Sequence, residues 1–191
     1  MNKKKFDRQQ ALESAMLLFW QKGYQATSTR DLQQATSLQP GSLYGTFKNK
    51  KMLFLETLDC YVQTMKQDFD DCHHQYSDPL EALRVFSIQA LMGRSGQGDP
   101  PSNICFLYKS GIELEGTELS DIPNTMMKEI EGWFLQIFVE AANNHQLKNP
   151  QSPAHLAKIY QLQLLGWRAY LSLSNDEDFV KQRVDEFFAG L

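Results

Sequence analysis

The chain has 191 residues, 42% of them hydrophobic and 12% aromatic, with a formal charge of −4; this is material for one large domain or two small ones and excludes a disordered composition. No apolar run reaches the roughly 18 residues of a membrane helix, no basic-then-apolar leader is visible, and three cysteines (Cys60, Cys72, Cys105) cannot close a disulfide framework, so neither a membrane span nor a secretion signal is expected and a reducing cytoplasm is the expected home. The charge is segregated: residues 1–55 hold nine basic and three acidic side chains, a net of +6, which leaves −10 on the remaining 136, as for a polyanionic partner gripped by one end.

The pattern is helical throughout. Leu12, Ala15, Met16, Phe19 and Trp20 recur at helical spacing, and Gly23 stands where that helix would stop. Ser28 to Asp31 reads as a capping box, with Asp in place of the usual Glu, ahead of a short helix that turns Leu32 and Ala35 inward. Thr36 to Gln39 makes a tight connection. Pro40 suits the first turn of a third helix carrying Ser42, Leu43 and Tyr44, because its missing amide hydrogen would go unsatisfied there anyway. Phe47 closes this small core, and Asn49 is expected to cap a long helix from about Lys50 to Tyr76 with Leu53, Phe54, Leu58, Tyr61, Val62, Met65 and Phe69 as its stripe. Such a helix would reach about 40 Å, long enough to belong to both ends of the molecule.

Asp78-Pro79 opens the next helix, and Gly93 to Asn103 is the one strong loop signal. A short apolar helix is expected within 104–115, ending near Gly116. Further helices start near Asp121, near Ser152-Pro153 and at Asn175, the last carrying Phe179, Val184 and Phe187. The reading is an all-α chain of about nine helices, without repeats or a free linker. Two short helices joined by about four residues, after a longer one, follow the helix-turn-helix plan.

The stretch from Ala11 to Lys50 resembles the DNA-binding domain of the TetR family of bacterial transcriptional regulators. The resemblance rests on Ala15 with Leu18-Phe19, Gly23-Tyr24, Thr27-Ser28 with Asp31-Leu32, Ala35-Thr36, and the run Gly41-Ser42-Leu43-Tyr44-x-x-Phe47-x-Asn49-Lys50. Two positions depart from it: Ser37 stands where many members have Gly in the turn, and Gln39 where Ser or Asn begins the next helix. The resemblance implies a DNA-binding domain over residues 1–50 and a helical effector-binding and dimerisation domain over 51–191. A helix of about Gln39 to Gly45 would then enter the major groove. Gln39, Ser42 and Thr46, with Thr29 and Arg30 on the preceding helix, are the base-contact candidates, Arg30 being the best-suited guanine reader, with a phosphate contact as its alternative. Tyr44, Lys48, Lys50, Thr27 and Ser28 are the phosphate-contact candidates, which position without reading sequence. Phe19, Leu32, Leu43 and Phe47 are read as core. Lys3, Lys4 and Lys5 form a basic arm that would either lie near a neighbouring minor groove or, the preferred reading, raise encounter rate.

By the same resemblance the last two helices pair across a twofold axis to make a homodimer on a palindromic operator, with Tyr160, Leu164, Trp167, Tyr170, Phe179 and Phe187 as interface candidates. The middle helices imply a pocket for a small hydrophobic or aromatic effector, for which Phe86, Cys105, Tyr108, Met126, Met127, Trp133 and Phe134 are the candidates. Ile104-Cys105-Phe106-Leu107 followed by Glu113 is similar to a subgroup pattern in which the cysteine senses electrophiles or oxidants; a buried, inert Cys105 is the simpler reading. The partners implied are double-stranded operator DNA, a second copy of the chain and a small molecule, with no membrane and no cofactor. An enzyme is not expected, since neither a nucleophile elbow nor a phosphate loop is present. Cys72, His73, His74, Asp70 and Asp71 lie too close in sequence on one helix to share a metal ion.

Overall fold

The computed structural model describes residues 8–93, 104–148 and 151–191. The basic arm of Lys3 to Lys5 and the Gly-rich loop beyond Gly93 lie outside the described residues. Among the described residues there are nine α-helices and no strand: α1 (Arg8–Lys22), α2 (Thr29–Thr36), α3 (Pro40–Phe47), α4 (Lys50–Gln75), α5 (Pro79–Met92), α6 (Phe106–Glu113), α7 (Asp121–Asn143), α8 (Pro153–Ser174) and α9 (Glu177–Ala189).

Local chemistry sets the boundaries of the head. α1 buries Ala11, Leu12, Ala15, Met16, Phe19 and Trp20 and stops at Gly23, whose amide donates to the Phe19 carbonyl at 2.8 Å. Gly23 has φ +89°, and a Cβ there would sit 2.9 Å from a Glu113 carboxylate oxygen, so the backbone sign and the space both call for glycine. Ser28 and Asp31 form the expected reciprocal capping box on α2. Ser37 has φ 58°, the left-handed conformation that glycine adopts without cost. Gln39 precedes α3 with no side-chain cap, and Asn49 caps α4 by accepting the Met52 amide at 2.8 Å.

α4 is the shared beam. It packs on α1 and α3 through one end and on α5 and α6 through the rest. Phe54 sits edge-on to Phe19 at 5.2 Å and to Phe106 at 6.0 Å, so head and body meet in one continuous apolar cluster. Burying one such ring stabilises by about 1.5–3 kcal/mol. In the body, Phe134 meets Tyr160 edge-on at 4.6 Å, and the Tyr160 hydroxyl shares a hydrogen bond of 2.8 Å with Ser87. One boundary differs from the sequence reading. Asn175, with φ 53°, ends α8, and Asp176 caps α9 by accepting the Phe179 amide. Asparagine tolerates the left-handed region, while the aspartate one residue on is the better acceptor for a helix start.

Candidate nucleic-acid interface and effector cleft

On the head, α2 and α3 present an open polar face. Gln39, Ser42 and Gly45 are exposed and Thr46 is half-exposed. A Cβ added at Gly41 or Gly45 would meet nothing within 4 Å, so this face lets another backbone approach closely. Arg30 is exposed and makes no ion pair with the described residues. The Thr46 hydroxyl donates to the Ser42 carbonyl at 2.8 Å. Thr29 and Tyr44 are tied hydroxyl to hydroxyl at 2.7 Å, a bond that fixes α2 against α3. Lys48 is exposed at φ 65°. The Lys50 ammonium lies 4.7 Å above the Tyr24 ring; partial burial lowers its pKa from the ordinary lysine value, while the field of Glu113 pulls the other way.

Two hydroxyls expected at phosphate are otherwise engaged. Thr27 is 1% exposed and donates to the Gly23 carbonyl at 2.5 Å; it ties down the α1–α2 corner, and its side chain is not open to a phosphate. The Ser28 hydroxyl belongs to the capping box. Leu43, Phe47, Phe19 and Leu32 are fully buried. Asp31 accepts from Lys22 at 2.6 Å and from Ser28, and the Lys22 hydrogen bond, with those of Ser28 behind it, holds its carboxyl well below the usual range.

A clamp from α6 grips the head. The Lys109 ammonium donates to the carbonyls of Trp20 and Gln21 at 2.8 and 2.7 Å, the orphan acceptors at the end of α1. One turn on, the Glu113 carboxylate accepts the amides of Tyr24 at 2.9 Å and Gln25 at 2.7 Å. The Trp20 indole adds a bond of 2.7 Å to the Ile104 carbonyl. Sequence reading missed this clamp. Its signal was there as a Lys-x-x-x-Glu pair on one face of a short helix, but its partner was a turn some ninety residues away.

The start of the same helix lies at a cleft between α4, α6, α7 and α8. The cleft measures about 330 Å³ out to its mouth, of which about 20 Å³ admits the centre of a water molecule. Of the effector candidates, Cys105, Met127 and Phe134 line it. Phe86 and Trp133 instead pack on Phe69 at 5.4 and 6.0 Å, Tyr108 is exposed on α6, and Met126 stands off the cleft wall. The reason is helical phase: Met127, Ile130 and Phe134 share one side of α7, while Met126 and Trp133 follow the next stripe round. Tyr61 and Arg168 also line the cleft. The Tyr61 hydroxyl donates to Cys105 Sγ at 3.5 Å, and burial first, then Cys105, pushes its pKa well above the ordinary phenol value. Arg168 was legible as a charge at the four-residue spacing from Leu164, on the apolar stripe of α8.

Three dimer candidates face inward. Tyr160, Leu164 and Trp167 are buried within the protomer, because they occupy the stripe of α8 that meets α7, α5 and α9. Phe187 is half-buried against Trp167 at 5.8 Å. Tyr170 and Phe179 are exposed and 5.2 Å apart. The open apolar face of α8 runs through Leu162, Gly166, Ala169 and Leu173, with Leu162 69% and Leu173 88% exposed.

No group of three or more metal-ligating side chains occurs among the described residues, and His73 pairs with Glu140 at 2.9 Å. No helix among the described residues is long and apolar enough to cross a membrane. The sequence profile described as bacterial regulatory proteins, tetR family, matches residues 11–57, the span of the head and the start of α4. The HTH-type transcriptional repressor ComR of Escherichia coli K12 is 34% identical over 123 residues, covering 64% of this chain and 58% of its own length; the match thus spans little more than half of that repressor. A TetR-family transcriptional regulator from Cytophaga hutchinsonii has the same fold, with a TM-score of 0.81 at 22% identity over 96% of this chain and 94% of its own. So has a cysteine mutant of the TetR-family regulator CifR, complexed with 26-base-pair operator DNA, with a TM-score of 0.81 at 21% identity over 99% and 98% of the two chains. Residues 11–57 thus match the model of the tetR family of bacterial regulatory proteins, and the all-helical fold with its open helix-turn-helix face is the fold of TetR-family structures.

Proposed function

We propose that the chain is a sequence-specific transcriptional repressor, a homodimer that holds a palindromic operator and releases it when a small hydrophobic or aromatic effector opens the cleft. The observation that carries this reading is the open face of α2 and α3, with Gln39, Ser42 and Arg30 exposed beside Lys48 and Lys50 on a head of net positive charge. Gln39 and Arg30 suit base edges, with Ser42 and the Thr46 and Thr29 side chains beside them; Tyr44, Lys48 and Lys50 suit phosphates. The similarly folded CifR mutant complexed with operator DNA supports a DNA-binding role for this fold. The apolar face of α8 with Tyr170 and Phe179 is the proposed dimer surface. It would place two heads on half-sites about 34–36 Å apart, or a multiple of that spacing.

Residues 1–50 read DNA in this scheme and 51–191 respond to the effector. α6 joins them, since its first turn borders the cleft at Cys105 and its last residue, Glu113, holds the α1–α2 corner. An effector that favours a wider cleft shifts α6 and re-aims the heads, and by linkage the operator weakens effector binding by the same factor. Selecting bound fragments from genomic DNA, then titrating salt on the selected and a scrambled duplex, tests the reading. Steeper preference for a palindromic fragment is expected, and equal affinity for all duplexes refutes sequence recognition. A second reading, favoured by the place of Cys105 in the cleft wall, makes that thiol the trigger for electrophiles; labelling of Cys105 with operator affinity unchanged would discard it.

A further inference from the structure

Arg168 is 7% exposed, yet it takes part in none of the ion pairs or hydrogen bonds of the described residues. It lines the cleft. Charged side chains are rarely this buried without a partner, because the interior does not replace the water they give up. Nothing in the helix phase forces it there: position 168 lies on the stripe of Leu164 and Leu171, where any apolar residue would pack. The rest of the cleft wall is mostly apolar, with Met65, Ile130, Phe134 and Leu164. Gln161 has its amide committed to the Met127 carbonyl at 2.9 Å. The Tyr61 hydroxyl, by contrast, donates only to a thiol sulfur, a weak acceptor that a stronger one would displace.

We propose that Arg168 is an anion anchor and that the effector is an amphipathic carboxylate. Its oxygens take the guanidinium fork, one of them accepts the Tyr61 hydroxyl, and its apolar tail lies along Met65, Ile130 and Phe134. The inference rests on the effector cleft proposed above and names the chemical class it takes. A planar carboxylate matches the two parallel N–H groups of a guanidinium. The cleft has room for about one water, so the ligand must part the walls; Met65 and Met127 have the flexible side chains that allow this.

The test is calorimetric titration of the full chain, without DNA, by head-group series on a common tail: hexanoate, hexanol and hexylammonium, then phenylacetate, 2-phenylethanol and phenethylammonium. At least one carboxylate is expected to bind about tenfold more tightly than both its neutral and its cationic counterpart. The Arg168→Gln variant should lose that preference, and Arg168→Lys should keep part of it. Equal binding across a series, a preference that survives Arg168→Gln, or no carboxylate binding at millimolar concentration each overturns the anchor. The wild-type series decides the matter even if Arg168→Gln does not fold. Operator binding is measured separately by gel shift. Its loss with the carboxylate preference intact would remove the repressor reading and leave the anion site standing. Operator binding without the preference would remove only the anion site.

Discussion

In the head, Arg30 and Lys48 stand open to solvent and Lys50 is half-covered by Tyr24, whereas in the body Arg168 is nearly buried in the wall of a mostly apolar cleft. The two placements suit different partners. Open cations attract a long polyanion at a distance, and salt screens them. An enclosed cation is screened little and answers to one small group that can enter. Yet the two regions are not separate bodies, because the rings of Phe19, Phe54 and Phe106 run from one into the other.

That shared core is where the contrast is most easily broken. Phe54→Ala removes a ring packed on Phe19, Tyr24 and Phe106 and is expected to cost about 3–5 kcal/mol. Urea unfolding followed by far-UV dichroism and by tryptophan fluorescence should show the head melting ahead of the body; a single coincident transition with little loss of stability would deny the ring its joining role. The next effect belongs to the clamp. Glu113→Ala strands the amides of Tyr24 and Gln25 at a cost of about 1–3 kcal/mol, toward the lower figure because Gln25 is open to water. Effector should still bind, but release of the operator should be blunted. Undiminished release would place the coupling elsewhere, along α4.

The fold and the open polar face of α2 and α3 were largely legible in the sequence because their causes are local. Ser28 with Asp31, Asn49 and Asp78 each satisfy amides within four residues of themselves, Pro40 brings no amide hydrogen to satisfy, and apolar spacing assigned Phe19, Leu32, Leu43 and Phe47 to the core. Ser37 shows the limit of local reasoning in the other direction: the turn takes its positive φ although serine is poorly suited to it. The cleft and the open face of α8 were less legible. Which stripe of α8 faces in depends on α5, α7 and α9 together, so Tyr160, Leu164 and Trp167, read as interface candidates, are instead buried within the protomer. Likewise, that Glu113 meets Tyr24 and Gln25 is a fact of tertiary distance that no spacing rule encodes.

Salt sharpens the contrast between the two kinds of cation. Lys50→Ala is expected to weaken binding to operator and scrambled duplexes alike and to lower the slope of log affinity against log salt by about one. Binding of a carboxylate in the cleft should hardly change over the same range of salt. A salt slope unaltered by Lys50→Ala would mean that its ammonium stays on the Tyr24 ring and does not reach phosphate.

The smallest expected effect concerns the acid limit of the head. Asp31 accepts from Lys22 and from the Ser28 amide and hydroxyl, and these bonds favour its charged form, so its folded pKa lies below the ordinary value. Between the two pKa values the unfolded chain binds the proton and the folded chain does not, so stability rises with pH there. The contribution is therefore complete above the unfolded pKa of about 3.9 and is lost as pH falls toward the folded one. Thermal melts from about pH 2 to 6 should show a shallower acid slope for Asp31→Asn than for the wild type. Because the carboxylate is open to solvent, the difference should shrink in high salt. Lys22→Met should reproduce much of it, since the Lys22 hydrogen bond is the largest of the causes. If Lys22→Met left the acid slope intact, the capping box alone would be holding Asp31 charged, and the α1–α2 corner would be fixed from the body side, by Glu113, with no help from Lys22.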